Sequence, residues 1–498
     1  MSEPEGCLLH EWLLRTARES PDAVAILEDG RQTSFGELLK QAGSVASAFF
    51  ELGVRQGDRV ALVLPKTTES IVAVFASLFA GASYVPIHPR WPGERIAAAL
   101  EDCGAAVAVA ESEGVLGVRR RNGDGTVEWK QALSQSPVIR PVAQSAADPA
   151  IILFTSGSTG SPKGVVLSHG AVSAFVRWTA QEFQIDSGDR VASPSPLGFD
   201  LSTFDIFGMA LCGATCVVVP ESFVWMPRFL VQYLRDSRIT CWYSVPSILA
   251  GMYQDGGLAD GGAPDLRVAL FAGEVFSSPK VALLQAALPN VVWANLYGPT
   301  ESNVVTWYRV PPGFDSSAPL PIGKACPYAE VTMDTETGEL LAGGASTMNG
   351  YWNRPEETAR AFIDLDGKRY YRTGDRVSRG PSGDYTFIGR LDRQVKRRGF
   401  RIELGEIEAA LARHPGVSEA AVVAYDNGNR GTAIAAFVRV TPREAPSIIE
   451  IKGHCARSLP LYMAPDRVVI VENIPKGNRG KIDYASLKRA AEDSNRGD

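Results

Sequence analysis

Histidine is scarce in this chain and cysteine nearly so: 498 residues include five His and seven Cys. No HExxH pair occurs, so metal chemistry built on histidine has no ligand set to work with. Cys7, Cys103, Cys212, Cys216, Cys241, Cys326 and Cys455 are odd in number and contain no CxxC, which argues against a disulfide framework or a zinc knuckle. Cys212 and Cys216 lie in an apolar run and are expected to be core thiols. Charge of one sign is also lacking. A net charge of −6 gives no electrostatic reason to expect nucleic acid or an anionic membrane as partner. No apolar run reaches the roughly 18 residues of a membrane-spanning helix. The N-terminus, MSEPEGCLLHEW, is acidic and lacks the basic-then-apolar order of a secretion signal. The expectation is a cytoplasmic monomer with no nucleic-acid or membrane partner.

What is present is a chain too long for one hydrophobic core, with 45% hydrophobic and 21% charged residues, as in ordinary globular proteins. Short apolar runs alternate with helical patterns. Asp58–Leu64, Gly81–Pro86, Ala150–Phe154, Ala214–Val219, Ile239–Tyr243 and Arg267–Phe271 read as buried strands. Glu69–Ala80, Trp225–Asp236 and Pro279–Leu288 read as helices between them, an alternation that predicts α/β layers with parallel sheets. Residues 111–148 are polar and predict an irregular surface excursion. Residues 310–390, rich in Gly, Pro and short alternating segments, predict a β-rich subdomain. Past a boundary near Leu391, a helix at Leu404–Ala412 and a hairpin of Ala420–Tyr425 with Thr432–Val440 predict a small α+β domain. The expected fold is α/β: a large N-terminal domain, 1–390, of two αβ-layered subdomains plus a β-rich one, then a small mobile α+β domain, 391–498.

Five motifs carry chemistry. TSGSTGSPKG (155–164) follows a strand and holds three Gly, five Ser/Thr and one Lys. Such a loop can wrap a phosphate chain with backbone N–H groups, hydroxyls and one cation; it is also the composition of a plain surface loop. It is neither a P-loop nor a GxSxG elbow. NLYGPTE (295–301) offers an amide, a ring and a hard oxygen suited to Mg²⁺, or simply a Gly-Pro turn. YRTGD (371–375) fixes a carboxylate after a tight turn, able to accept two hydroxyls or to cap a loop. GRLDRQVKRRGFRIELGEIE (389–408) packs five Arg/Lys into Arg393–Arg401. PKGNRGKID (475–483) sets a lysine in a Gly-containing turn.

In this order the motifs resemble the adenylate-forming superfamily of acyl-CoA synthetases, luciferases and the adenylation domains of nonribosomal peptide synthetases. The resemblance spans about residues 20 to 488 and includes SYVPIHPRWPGERI (83–96), NRPEETARAF (353–362) and LPLYMAPDRVVIVENIP (459–475). FDLSTFDIF (199–207) is similar to the amino-acid-activating branch. His88 departs from that branch, which usually has Asp there, and Glu330–Asn349 is shorter than usual.

The resemblance implies ATP and Mg²⁺ as cofactors and an amino acid and a discrete carrier protein with a phosphopantetheine arm as partners. It implies that an amino acid is joined to AMP and then loaded on the carrier thiol. ATP is expected on Thr155, Ser156, Gly157, Ser158, Thr159, Gly160 and Lys163 and on Asn295, Leu296, Tyr297, Gly298, Pro299 and Thr300. Asp375 is expected to clamp the ribose, with Phe387 and Arg390 finishing the pocket and Glu301 binding Mg²⁺. Lys481 is the expected catalytic residue, bridging the substrate carboxylate and the α-phosphate. Asp392 is the expected hinge, and Gly399 gives the pantetheine arm room. Asp200 is expected to pair with the substrate ammonium, flanked by Phe199 and Gly273. The pocket is then lined by Leu201, Phe204, Tyr243, Leu270, Ala272, Leu296, Val304 and Val305. No charge besides Asp200 and Lys481 falls among these positions, so a charged substrate side chain would stand unpaired. Alanine fits first, with glycine, serine, valine or a small β-amino acid as alternatives. A D-alanine–carrier ligase of teichoic acid modification, an acyl-CoA ligase and an inactive scaffold stay open.

Overall fold

The computed structural model describes residues 8–121, 125–138, 140–157, 162–428, 431–441, 445–477 and 481–495. Ser158, Thr159 and Gly160, expected on the ATP phosphates, lie outside the described residues. The chain forms two compact units. One comprises Met1–Pro89, Leu100–Phe154 and Gly164–Leu391; the other comprises Arg90–Ala99, Thr155–Lys163 and Asp392–Asp498. The fold is mixed α/β.

Among the described residues the first unit carries two large sheets. The nine-stranded one has at its centre the parallel strands Arg190–Ser193, Cys241–Ser244, Val268–Ala272 and Val292–Tyr297. The eight-stranded one centres on the parallel strands Arg59–Val63, Ser83–Pro86 and Pro149–Thr155. These strands read as unbroken apolar runs because helices cover both faces; Val268–Ala272 is buried at every position. Helix Thr68–Phe79 is buried at all but one position and opens with a capping box, Thr67 with Ser70. It meets helix Leu201–Cys212 through Phe75 and Phe207, 5.8 Å apart and edge to face. Helix Leu201–Cys212 ends on Gly213, whose φ of 72° is the left-handed turn that closes a helix. A five-stranded, antiparallel sheet, Ala329–Met333, Glu339–Gly344, Phe362–Leu365, Lys368–Arg379 and Tyr385–Arg390, forms the β-rich part.

Three expectations need correction. Residues 111–148 are not an irregular excursion: Val115–Arg120 and Thr126–Glu128 extend the eight-stranded sheet as an antiparallel meander, and Trp129–Leu133 is a helix. The strand expected at Ile239–Tyr243 runs from Cys241 to Ser244; Thr240 before it still bonds through its backbone to Arg190 at 3.0 Å and Arg267 at 2.8 Å, while its hydroxyl donates to Asp189 at 2.6 Å. The helix expected from Trp225 starts at Pro227, whose fixed φ suits a first helical position. Phe223–Trp225 before it is a separate 3₁₀ turn.

In the second unit Val417–Asp426 and Thr432–Val440 pair antiparallel, and Arg467–Ile470 joins parallel to the latter. The two-residue alternation of these strands splits their side chains between two covers. Val422, Ile434, Ala436 and Val438 face a cluster with Ile407, Leu411 and Ile451 of helices Leu404–Ala412 and Ile448–Ser458. Ala421, Val423, Tyr425, Ala435 and Phe437 face Leu487 and Ala491 of helix Tyr484–Asn495.

Candidate functional site

The residues expected to line the amino-acid pocket gather at the C-terminal ends of the central parallel strands, where open α/β sheets bind ligands. Register explains how residues distant in sequence share one face. Tyr243 stands opposite Leu270, and Ala272 opposite Leu296. Because side chains alternate, all four lie on the same side of the sheet, and all are buried. Helix Leu201–Cys212 packs on that face, with the Phe204 ring 6.2 Å from that of Tyr243. Asp200 is the N-cap residue of this helix, and its Oδ1 accepts from the Leu201 N–H at 3.0 Å. Burial pushes the Tyr243 phenol well above its ordinary pKa, and the charges of Asp200 and Asp205 add to the shift. Gly273, after Ala272, has φ 92°, a conformation that glycine adopts without strain. Phe199 is partly exposed beside Asp200. The structure thus brings together Asp200, Leu201, Phe204, Tyr243, Leu270, Ala272 and Leu296, with Val304 and Val305 beyond the end of strand Val292–Tyr297.

A polar group of expected residues follows in the same unit. Tyr297 donates its phenol to Asp375 Oδ2 at 2.5 Å, and Arg390 donates to Oδ1 at 2.6 Å. Burial first, and the Asp375 carboxylate second, hold the Tyr297 phenol far above its usual pKa. Phe387 lies opposite Val377 in the hairpin that sets Arg390 opposite Asp375. Asn295 gives its amide to the Pro321 carbonyl at 2.8 Å. Gly298 approaches the Asn303 carbonyl so closely that a Cβ there would lie 1.5 Å from the oxygen. Pro299 and Thr300 lead, partly exposed, to Glu301, which is 1% exposed and accepts from the Tyr351 hydroxyl at 2.8 Å. Among the described residues no group of three or more His, Cys, Asp or Glu could hold a metal ion. One hard carboxylate still fits Mg²⁺, which takes one or two protein carboxylates and completes its shell with phosphate oxygens and water.

In the second unit Thr155 Oγ1 donates to the Lys163 carbonyl at 3.5 Å, and Ser156 Oγ to the Arg401 carbonyl at 2.8 Å. Gly157 ends the described part of that loop. Asp392 accepts from the Gln394 N–H at 3.1 Å. Gly399 sits in the tight turn of the hairpin Gln394–Arg397 with Phe400–Glu403, with φ 81° after Arg398 at 51°. Two successive positive φ angles suit a two-residue hairpin turn, and glycine takes the second. Lys481 is exposed, and its carbonyl accepts from the Gly477 N–H at 2.8 Å.

Several neighbours of the site escaped sequence reasoning. Asp205, five residues past Asp200, forms a buried pair with Lys66 at 3.2 Å and accepts from Ser193 at 3.0 Å. Tyr351 on Glu301 and Tyr328 on the Val304 carbonyl, at 2.7 Å, are two more. The second Asp of FDLSTFDIF was the one available signal, a charge inside an otherwise apolar helix. His88, the departure from the family pattern, contacts Glu221 at 3.0 Å.

Comparison with known proteins places the chain in a family. Residues 13–352 match the AMP-binding enzyme family and residues 406–481 the AMP-binding enzyme C-terminal domain. The chain belongs to this adenylate-forming superfamily and is a ligase. An L-proline–[L-prolyl-carrier protein] ligase of Pseudomonas fluorescens is 37% identical over 97% of this chain and 99% of its own length. One of Streptomyces coelicolor is 35% identical over 91% of each chain. A crystal structure of IdnL1, 34% identical, superposes with a TM-score of 0.79 over 95% of this chain and 100% of that one. Among the described residues no helix is long and apolar enough to cross a membrane.

Proposed function

We propose that this enzyme joins the carboxylate of a small aliphatic amino acid to AMP, releasing pyrophosphate, and then passes the aminoacyl group to the phosphopantetheine thiol of a carrier protein. The observation that carries the reading is Asp200. It is a partly exposed carboxylate at the N-cap of the helix that packs, with Leu201 and Phe204, on the apolar face of Tyr243, Leu270, Ala272 and Leu296. An acid without an amino group offers it nothing to pair with; an α-ammonium does, and an uncharged side chain suits the rest.

Proline is the favoured substrate, ahead of the alanine that the pocket composition first suggests. Its ring adds apolar area against Phe204 and Tyr243 while its secondary ammonium still meets Asp200. The two L-proline–[L-prolyl-carrier protein] ligases, matched over 97% and 91% of this chain, support that order.

The chemistry requires two anions to meet. In the proposed mechanism the substrate carboxylate attacks the α-phosphate of ATP, and Lys481 offsets their repulsion. Removing a preorganised charge of this kind costs about 10²–10³-fold in rate. Thr155, Ser156 and Lys163 contact the β- and γ-phosphates, Asp375 with Arg390 binds the ribose, and Tyr297 with Asn295 meets the adenine. Mg²⁺, when bound, neutralises phosphate charge, and Glu301 would hold it. Lys481 and Gly399 serve successive half-reactions, with Asp392 as the hinge between them.

Amino-acid-dependent exchange of pyrophosphate into ATP tests this. Exchange with proline, weaker with alanine and lost in Asp200→Ala, is the expected result. Absence of exchange with every amino acid would overturn the reading.

A further inference from the structure

Val304 lies between two kinds of support. Val305 beside it is held by backbone alone: its N–H donates to the Tyr297 carbonyl at 2.8 Å, and its carbonyl accepts from the Cys326 N–H at 2.9 Å. Val304 falls outside strand Thr306–Arg309 and makes no such ladder contact. Both of its backbone groups end on side chains instead. Its N–H donates to Asn303 Oδ1 at 2.8 Å, and its carbonyl accepts from the Tyr328 hydroxyl at 2.7 Å.

Neither partner is a casual neighbour. Asn303 is 3% exposed and holds φ at 53°, a region where Asn is better tolerated than most residues. Gly298 packs directly on its carbonyl, so the loop from Gly298 to Asn303 closes on itself without slack. Tyr328 is braced by the edge of Trp178, 5.8 Å between ring centroids. A wall residue 3% exposed, pinned through both its N–H and its carbonyl, cannot shift to admit extra volume without breaking a buried hydrogen bond.

We infer that Asn303 and Tyr328 are specificity-determining positioning residues: they fix Val304, and thereby the size of amino acid admitted, without lining the pocket themselves. The inference rests on the proposed amino-acid pocket. It separates size selection from ammonium recognition, which belongs to Asp200.

Tyr328→Phe keeps the ring and removes only the hydroxyl. Asn303→Gly accommodates the positive φ and removes the side chain that carries the acceptor. Pyrophosphate exchange is measured for proline against pipecolate, and for alanine against 2-aminobutyrate, pairs that differ by one methylene. In each variant the kcat/KM ratio of smaller to larger substrate is expected to fall about tenfold, the size of a one-methylene discrimination. The KM for ATP is expected to stay at the wild-type value, which a general loosening of the fold would not allow. If both ratios keep their wild-type values, or if all substrates weaken alike, the inference is overturned. Should one variant fail to fold, the other decides. A wild-type enzyme inactive with all four amino acids would instead overturn the underlying pocket assignment.

Discussion

Tyr297 and Asp375, 78 residues apart in the chain, share a 2.5 Å hydrogen bond in which the buried phenol donates to the carboxylate. Arg390 takes the other carboxylate oxygen at 2.6 Å, so Asp375 is oriented from both sides. A hydrogen bond to a charged group contributes about 1.5–3 kcal/mol. Tyr297→Phe is therefore expected to raise the KM for ATP about tenfold, by letting Asp375 rotate away from the ribose it is proposed to bind. The KM for the amino acid should change far less. Equal change in both constants would mean that the bond serves the fold and not the nucleotide.

Lys66 and Asp205 form an ion pair with side chains 6% and 0% exposed, and Asp205 Oδ1 is buried with no hydrogen-bond partner. Breaking such a pair from one side leaves an uncompensated charge and costs about 3–5 kcal/mol, whereas replacing both partners by apolar residues is often nearly neutral. Lys66→Met should lower the thermal midpoint more than the double variant Lys66→Met with Asp205→Met. Because Asp205 shares its helix with Asp200, both variants should also raise the KM for the amino acid. A double variant no more stable than the single one would show that the pair, and not the stranded charge, supplies the stability.

Buried groups of the first unit titrate with opposite signs. His10 and His169 face each other at 5.5 Å in the core. Burial lowers His10 from 6.5 to about 3, helped by His169, and burial lowers His169 to about 4. The unfolded chain therefore binds more protons below 6.5, so this contribution is present above that pH and is lost as pH falls toward 4. Asp205 is the reverse: burial raises it to about 6, so its contribution is present in acid and lost as pH rises through about 6. Two histidines outweigh one carboxyl, and stability should fall on acidification. His10→Phe keeps a ring against Phe79 and should flatten the pH dependence of the urea unfolding free energy by about one proton, about 1.4 kcal/mol per pH unit. Asp205→Asn should steepen it. An unchanged slope in His10→Phe would mean that His10 is already protonated in the folded protein.

These pairs also mark how far the sequence was legible. Parallel strands such as Val268–Ala272 announce themselves because both faces are buried and every residue is apolar. The meander strand Val115–Arg120 does not, because only Gly117 and Val118 are buried and its two arginines break the apolar pattern. The face formed by Tyr243, Leu270, Ala272 and Leu296 was legible because each residue sits at a fixed offset in a motif. Lys66 with Asp205, Tyr351 with Glu301 and Tyr328 with Val304 were not. Their partners lie 139, 50 and 24 positions apart, and nothing local marks a lysine or tyrosine as the support of a distant group.

Glu301 and Tyr351 test that point where metal is concerned. Strand Gly350–Tyr351 pairs with Lys163–Ser168, which sets Tyr351 opposite Val165, and the Met348 N–H donates to the Glu301 carbonyl at 2.8 Å. Backbone and side chain of Glu301 are thus both held, the carboxylate by the Tyr351 hydroxyl at 2.8 Å, with the Tyr371 hydroxyl 3.5 Å beyond. A ligand carboxylate freed from such a support typically loses about 10–100-fold in metal affinity. Tyr351→Phe removes the donor and keeps the ring. It should shift the Mg²⁺ concentration for half-maximal exchange upward about tenfold at saturating ATP and amino acid. Binding of Mn²⁺ in the presence of ATP, followed by electron paramagnetic resonance, should weaken in parallel, and a chelator should abolish exchange in both proteins. If Mn²⁺ binds the variant as tightly as the wild type while exchange falls, Tyr351 acts on the reaction by a route other than Glu301.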